Sequence, residues 1–139
     1  MSRPAGVRED ERVLNELDHV RVLRWIRHTE PDSAPYAPLS EVLETALLVP
    51  SRRVPCDVVT MNSQVLLQRL SDHGCMTLTL CYPEDCGPGF VSVLTPLGSA
   101  LLGQRVGALV RWWPPTGRAV QARVLALLFQ PEACGDYSL

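Results

Sequence analysis

A chain of 139 residues, 46% hydrophobic and 20% charged, holds enough apolar material for a core and too much for a disordered chain. Its formal net charge is −2 and all 13 basic residues are arginine, so bulk charge gives no attraction to nucleic acid or to an anionic membrane. With no apolar run of about 18 residues and no apolar stretch behind the charged N-terminus, neither a membrane span nor a secretory signal is expected, and the chain is expected to be cytoplasmic.

From Glu11 to His28 the pattern predicts a helix. Val13, Leu17, Val20 and Leu23 recur at three- and four-residue spacing, and Val22, Trp25 and Ile26 widen the apolar face. The stretch TEPDSAPYAP (29–38) ends it, because its prolines cannot continue a helix. A second helix is predicted from Pro38 to about Leu48, with Leu39, Val42, Leu43, Ala46 and Leu47 as its stripe. Two amphipathic helices joined by a short loop read as an antiparallel hairpin, a short coiled coil of about 17 to 27 Å. The stretch PSRRVP (50–55) divides this hairpin, residues 1–50, from a second domain, residues 51–139.

Beyond the hinge the pattern turns to β. Strands are predicted at Val54–Thr60 and Val65–Leu70. In CMTLTLCY, Met76, Leu78 and Leu80 point one way and Thr77, Thr79 and Cys81 the other. SDHG (71–74) is a turn, PEDCGPG (83–89) a loop, and Phe90–Leu94 a brief strand. Pro96–Gly103 reads as one short helix with proline at its start and glycine at its end. Leu109–Trp113 and Ala119–Phe129 are the last strands, the second apolar enough for a central position. The expected fold is α+β, with a helical hairpin followed by a mostly antiparallel sheet packed on one short helix.

Chemistry-bearing motifs are few. Gly98 and Gly103 have phosphate-loop spacing, but Gln104 and Arg105 follow where a nucleotide loop needs Lys and Ser or Thr, so a capped core helix is the reading. Cys56, Cys75, Cys81, Cys86 and Cys134 include no C-x-x-C, so reduced thiols are expected rather than zinc. His19, His28 and His73 are widely separated and join no catalytic motif. Glu84 and Asp85 read as a solvated turn. Glu30 and Asp32 sit at the expected hairpin tip, where two carboxylates could share a Mg²⁺ in a partner's site; a polar turn is the plainer reading.

DVVTMNS (57–63), YP (82–83), TPLGSALLGQRVG (95–107) and FQPEACGDYSL (129–139), in this order and spacing, resemble the Rnk-type branch of the GreA/GreB family of bacterial transcription factors. The resemblance implies an N-terminal antiparallel coiled coil and a C-terminal FKBP-like domain, here 1–50 and 51–139. It implies RNA polymerase as partner, bound through the FKBP-like domain with the coiled coil at the secondary channel. Thr95 and Pro96, followed by Leu97 and Gly98, hold the place of a Ser-Pro pair that contacts polymerase. Leu94 stands where an acid often precedes that pair, and Ala108 where an Asp usually follows the Val-Gly turn.

The resemblance also makes Glu30 and Asp32 the candidate tip carboxylates, on a hairpin that reads as short. Rnk-type proteins resemble channel binders that do not stimulate transcript cleavage. The expectation is therefore a non-enzymatic regulator that competes with Gre factors, without a metal or other cofactor. An effect on nucleoside diphosphate kinase, direct or indirect, is implied by the branch's name. The alternatives are a cleavage factor acting through the tip carboxylates, or a prolyl isomerase of FKBP type. The latter needs an aromatic-lined pocket, and of the adjacent Trp112 and Trp113 one should point out of the sheet. In the tail, Pro131 should end the last strand, Gly135 permit a turn, and Glu132 and Asp136 act as anchors.

Overall fold

The computed structural model describes residues 11–28, 37–115 and 117–135. The chain opens with a short strand, β1 (Val13–Asn15), followed by α1 (Glu16–His28). After α2 (Ala37–Thr45) comes β2 (Leu47–Val49), which pairs parallel with β1. The expected first helix therefore starts five residues late. Asn15 sets that boundary: its Oδ1 accepts from the Leu17 N–H at 2.9 Å, an N-cap that satisfies one of the first-turn donors. The second helix is shorter than expected for a parallel reason, since Leu47–Val49 pairs as a strand. The expected tip residues Glu30 and Asp32 lie outside the described residues.

The second sheet has five strands in the order β5-β4-β3-β7-β6. These are β3 (Gln64–Arg69), β4 (Cys75–Cys81), β5 (Phe90–Ser92), β6 (Leu109–Trp112) and β7 (Val120–Phe129). All neighbours are antiparallel except β4 and β5. The apolar β7 occupies an interior position, as its composition predicts. Alternation is kept: Leu78 and Leu80 on β4, Val110 and Trp112 on β6, and Ala122 and Val124 on β7 are buried. Trp113, next to buried Trp112, is 55% exposed.

The strand expected at Val54–Thr60 does not form. Pro55 accepts the Val58 N–H at 3.2 Å in a turn, and only a bridge between Val58 and Arg105 remains of the pairing. Proline cannot donate to a ladder, and the turn it makes uses up the residues the strand would need.

The third helix, α3 (Pro96–Leu101), lies against β6 and α2. Val22 and Ile26 of α1 and Leu39, Val42 and Leu43 of α2 share one apolar cluster with Val59, Met61, Val65, Leu80 and Leu101. The helical stretch and the sheet thus have a common core, and the helices' apolar stripes are spent on it. The fold is α+β, with few helices on a curled sheet.

Candidate functional site

The chain leaves β5 at Ser92 and turns into α3 through Thr95, whose backbone is extended (φ −78°, ψ 161°). The Thr95 hydroxyl accepts from the Gly98 N–H at 3.1 Å and donates to the Ser92 carbonyl at 2.7 Å. It is the N-cap, and Pro96 follows at a position that needs no N–H. Thr95 and Pro96 are exposed, Leu97 is half-buried and packed on the core, and Gly98 is buried. Of the four residues expected to meet polymerase, two therefore present their side chains to solvent. The amides of the Gly98–Gly103 stretch are used internally: Gly98 N–H goes to Thr95, and Gly103 N–H to the Val59 carbonyl at 2.8 Å. This is the capped core helix rather than a phosphate cradle.

Beside α3 runs a cleft of about 280 Å³ lined by Arg12, Val42, Pro96, Ala100, Arg111 and Trp113, among others. Arg12 Nη1 donates to the carbonyls of Ser99 (2.6 Å) and Leu102 (3.2 Å), fixing the end of α3. The Arg111 guanidinium stands 4.9 Å from the Trp113 ring centroid, a cation–π stack on the outer face of β6. Leu109, on the same face of β6, is 47% exposed. An exposed aromatic, a stacked arginine and neighbouring apolar surface form the kind of patch that anchors a protein interface. The sequence reading named Pro96 in it and passed over Arg111, although a tryptophan pair ending an alternating strand already places one ring outside.

A second polar centre lies inside. Asp18, in the first turn of α1, is 3% exposed. Its Oδ2 accepts from the Met61 N–H at 3.1 Å. Burial pushes its carboxyl up to about 7; the Met61 bond and Arg21 oppose this, while the Glu132 charge adds to it. The Tyr82 hydroxyl, facing Asp18 and Arg21, is pushed up by the same burial.

Glu132 accepts from Asn15 Nδ2 at 2.8 Å on one oxygen and from Thr60 Oγ1 at 2.7 Å on the other. Asn15 Oδ1 also takes the Ser51 hydroxyl at 3.0 Å, and Gln130 Nε2 donates to the carbonyls of Pro55 and Val58. Both Glu132 oxygens are engaged, so this carboxylate is an anchor for the chain's end, as expected of it. Gly135 supplies the turn at φ 79°, a left-handed conformation that favours glycine. Asp136 lies outside the described residues. Among the described residues, no three His, Cys, Asp or Glu side chains gather as a metal-binding group, and no helix is long and apolar enough to cross a membrane.

Residues 54–128 match the family described as "Transcription elongation factor, GreA/GreB, C-term". Over its whole length the chain is similar to the "Regulator of nucleoside diphosphate kinase" of Escherichia coli (strain K12), with 39% identity over 142 residues and all of both chains covered. The protein of the same name from Shigella flexneri matches to the same extent. Among solved structures, a prokaryotic transcription elongation factor GreA/GreB from Nitrosomonas europaea superposes with a TM-score of 0.73 at 30% identity. The match covers 86% of this chain and 100% of that one.

Proposed function

Because the chain belongs to the GreA/GreB transcription factor family, we propose that it is a regulator of the Rnk type that binds RNA polymerase. In this proposal the sheet and α3 form an FKBP-like docking unit, residues 51–139. The contact is the exposed start of α3, Thr95 and Pro96, with Leu97 and Gly98 shaping it from below. The N-terminal segment, residues 1–50, whose helices pack on that unit's core, acts as a short hairpin that occludes the secondary channel from its mouth and competes with Gre factors. The observation that carries the reading is the full-length similarity to regulators at 39% identity, joined to an exposed, capped Thr-Pro helix start beside the Trp113 cleft.

Helix length favours occupancy over transcript cleavage. At 1.5 Å per residue, the 13 residues of α1 and 9 of α2 span about 20 and 14 Å. Glu30 and Asp32 are the acids between them in sequence. A Mg²⁺ ligand must come within about 2.1 Å of the ion, so a short hairpin that falls short of the active site ligates nothing there. Any change in nucleoside diphosphate kinase is placed downstream of transcription in this reading.

Co-purification with core RNA polymerase tests the proposal. The wild-type chain is expected to be retained, and Pro96→Asp to lose about tenfold in affinity while its thermal unfolding stays put, since acid at a helix start is well tolerated. Pro96 is the better probe than Leu97, whose packing on the core means that Leu97→Asp would disturb the fold itself. Equal retention of the two proteins would remove this surface from consideration. In stalled elongation complexes the chain is expected to leave transcripts intact. Rapid shortening that disappears in the Glu30→Ala, Asp32→Ala double variant would replace occupancy with cleavage.

A further inference from the structure

At the end of β4 the sequence CYPEDC (81–86) folds back on itself. Tyr82 is extended (φ −73°, ψ 156°), and Pro83–Asp85 form a single 3-10 turn. The Asp85 N–H closes it on the Tyr82 carbonyl at 3.0 Å. Alternation placed Cys81 on the solvent face opposite Leu80, yet both are fully buried. The returning turn brings the sulfur of Cys86 to 3.7 Å from that of Cys81, while Cys86 itself remains exposed.

The geometry points to a modification site: Cys81 and Cys86 form an intramolecular disulfide when the protein meets a hydroperoxide. The sulfurs need only close from 3.7 Å to the bonded separation of about 2.05 Å, and Cys86, on an exposed turn, is the partner placed to move. The order of events follows from access. Burial first, and the adjacent Cys86 second, push the Cys81 thiol up to about 12, so it is a poor initial nucleophile.

Cys86, the accessible sulfur, attacks one peroxide oxygen as thiolate. The O–O bond breaks, hydroxide (or alkoxide, from an organic hydroperoxide) leaves and is protonated to water (or alcohol), and Cys86 becomes a sulfenic acid. The Cys81 sulfur then attacks the Cys86 sulfur. The S–O bond breaks, and the departing hydroxide takes the Cys81 proton as a second water. Two thiols and one hydroperoxide thus give one disulfide, one water and one further water or alcohol, with two electrons passed to the peroxide.

The bond would lock the 82–86 turn. That turn carries Tyr82 beside Asp18, and Glu84 and Asp85, which line a cleft of about 350 Å³ with Arg21, Arg24 and Trp25 of α1. Oxidation would therefore hold one wall of this cleft, the turn that faces α1, in a single conformation.

The test uses the full chain with Cys75→Ser, which leaves two thiols in the tryptic peptide 70–105. Protein treated with a few-fold excess of hydrogen peroxide is quenched with a thiol-alkylating reagent in denaturant and mapped without reduction. The expected peptide carries no label, is about 2 Da lighter than the reduced peptide, and regains both labelling sites after dithiothreitol. With Cys81→Ser added, Cys86 is expected to stop at the sulfenic acid and react with a dimedone probe. Undiminished labelling of Cys86 after peroxide, or loss of label through a reducible link between two chains, would overturn the assignment.

Discussion

Replacing Gly98 with alanine is expected to cost about 3 kcal/mol of folding stability, despite putting a better helix former into α3. The reason is local and steric. A Cβ at this position would stand 2.0 Å from the Ser92 carbonyl oxygen and 2.8 Å from the Ser92 carbonyl carbon and the Val93 Cα. These are backbone atoms, and the Ser92 oxygen is held by two bonds, from the Thr95 hydroxyl at 2.7 Å and the Thr95 N–H at 3.1 Å. Relief requires moving β5 away from α3, which opens the core around Val93 and Leu101, both fully buried. The intrinsic helix gain of alanine over glycine is only about 1 kcal/mol, so the clash decides the sign. Urea unfolding measures it directly. A variant as stable as the parent would show that β5 and α3 are free to separate, contrary to the packing described above.

Asp18→Asn is expected to work in the opposite direction, raising stability by roughly 2 to 4 kcal/mol at pH 8 and flattening the pH dependence. The Asp18 carboxyl is raised from an ordinary 3.8 to about 7 in the folded chain, chiefly by burial. Between those values the folded protein holds a proton that the unfolded chain has released. Stability from this group is therefore fullest below pH 4, falls as pH rises toward 7, and stays low above it. The groups around it oppose this direction on balance, and burial outweighs them: the Met61 N–H, Arg21 and Tyr82 favour the charged form, and Glu132 the protonated one. Asparagine can still accept the Met61 N–H through its oxygen and carries no charge to desolvate. Unfolding midpoints at pH 5, 7 and 8 should converge for Asp18→Asn and diverge for the parent. Parallel pH profiles for the two proteins would mean that Asp18 is not the group responsible.

The sheet was legible because its signals are local. Met76, Leu78 and Leu80 alternate over a stretch long enough to register, β7 is apolar at all but Gln121 and Arg123, and the Thr95-Pro96 start of α3 carries its cap in two adjacent letters. The β1–β2 pair was not. Val13, Leu14, Leu47 and Leu48 fit a helical stripe as well as a strand, and three-residue parallel pairing leaves no periodicity of its own. Asn15 was the available signal, a side chain suited to capping placed just before an acidic first turn.

The proposed docking surface divided along similar lines. Pro96 came from a resemblance in its neighbourhood, whereas Arg111 joins it only because β6 and α3 are brought side by side. Glu132 could be read as an anchor, but its partners Asn15 and Thr60 lie 117 and 72 residues away in sequence. Asp18 stands in no sequence motif. Its burial follows from Met61 and Tyr82 folding over it, which no spacing in the sequence announces.

The parallel pairing of Val13–Asn15 with Leu47–Val49 has a further consequence. It stitches the chain just before α1 to the chain just after α2, so the segment between the two strands is a closed excursion. Closing a longer excursion adds only about 0.6 kcal/mol for each doubling of its length. Extra helical turns inserted between α1 and α2 would leave the stitch and the register of the five-stranded sheet untouched. The segment between the two strands can thus lengthen while the body that carries it stays the same.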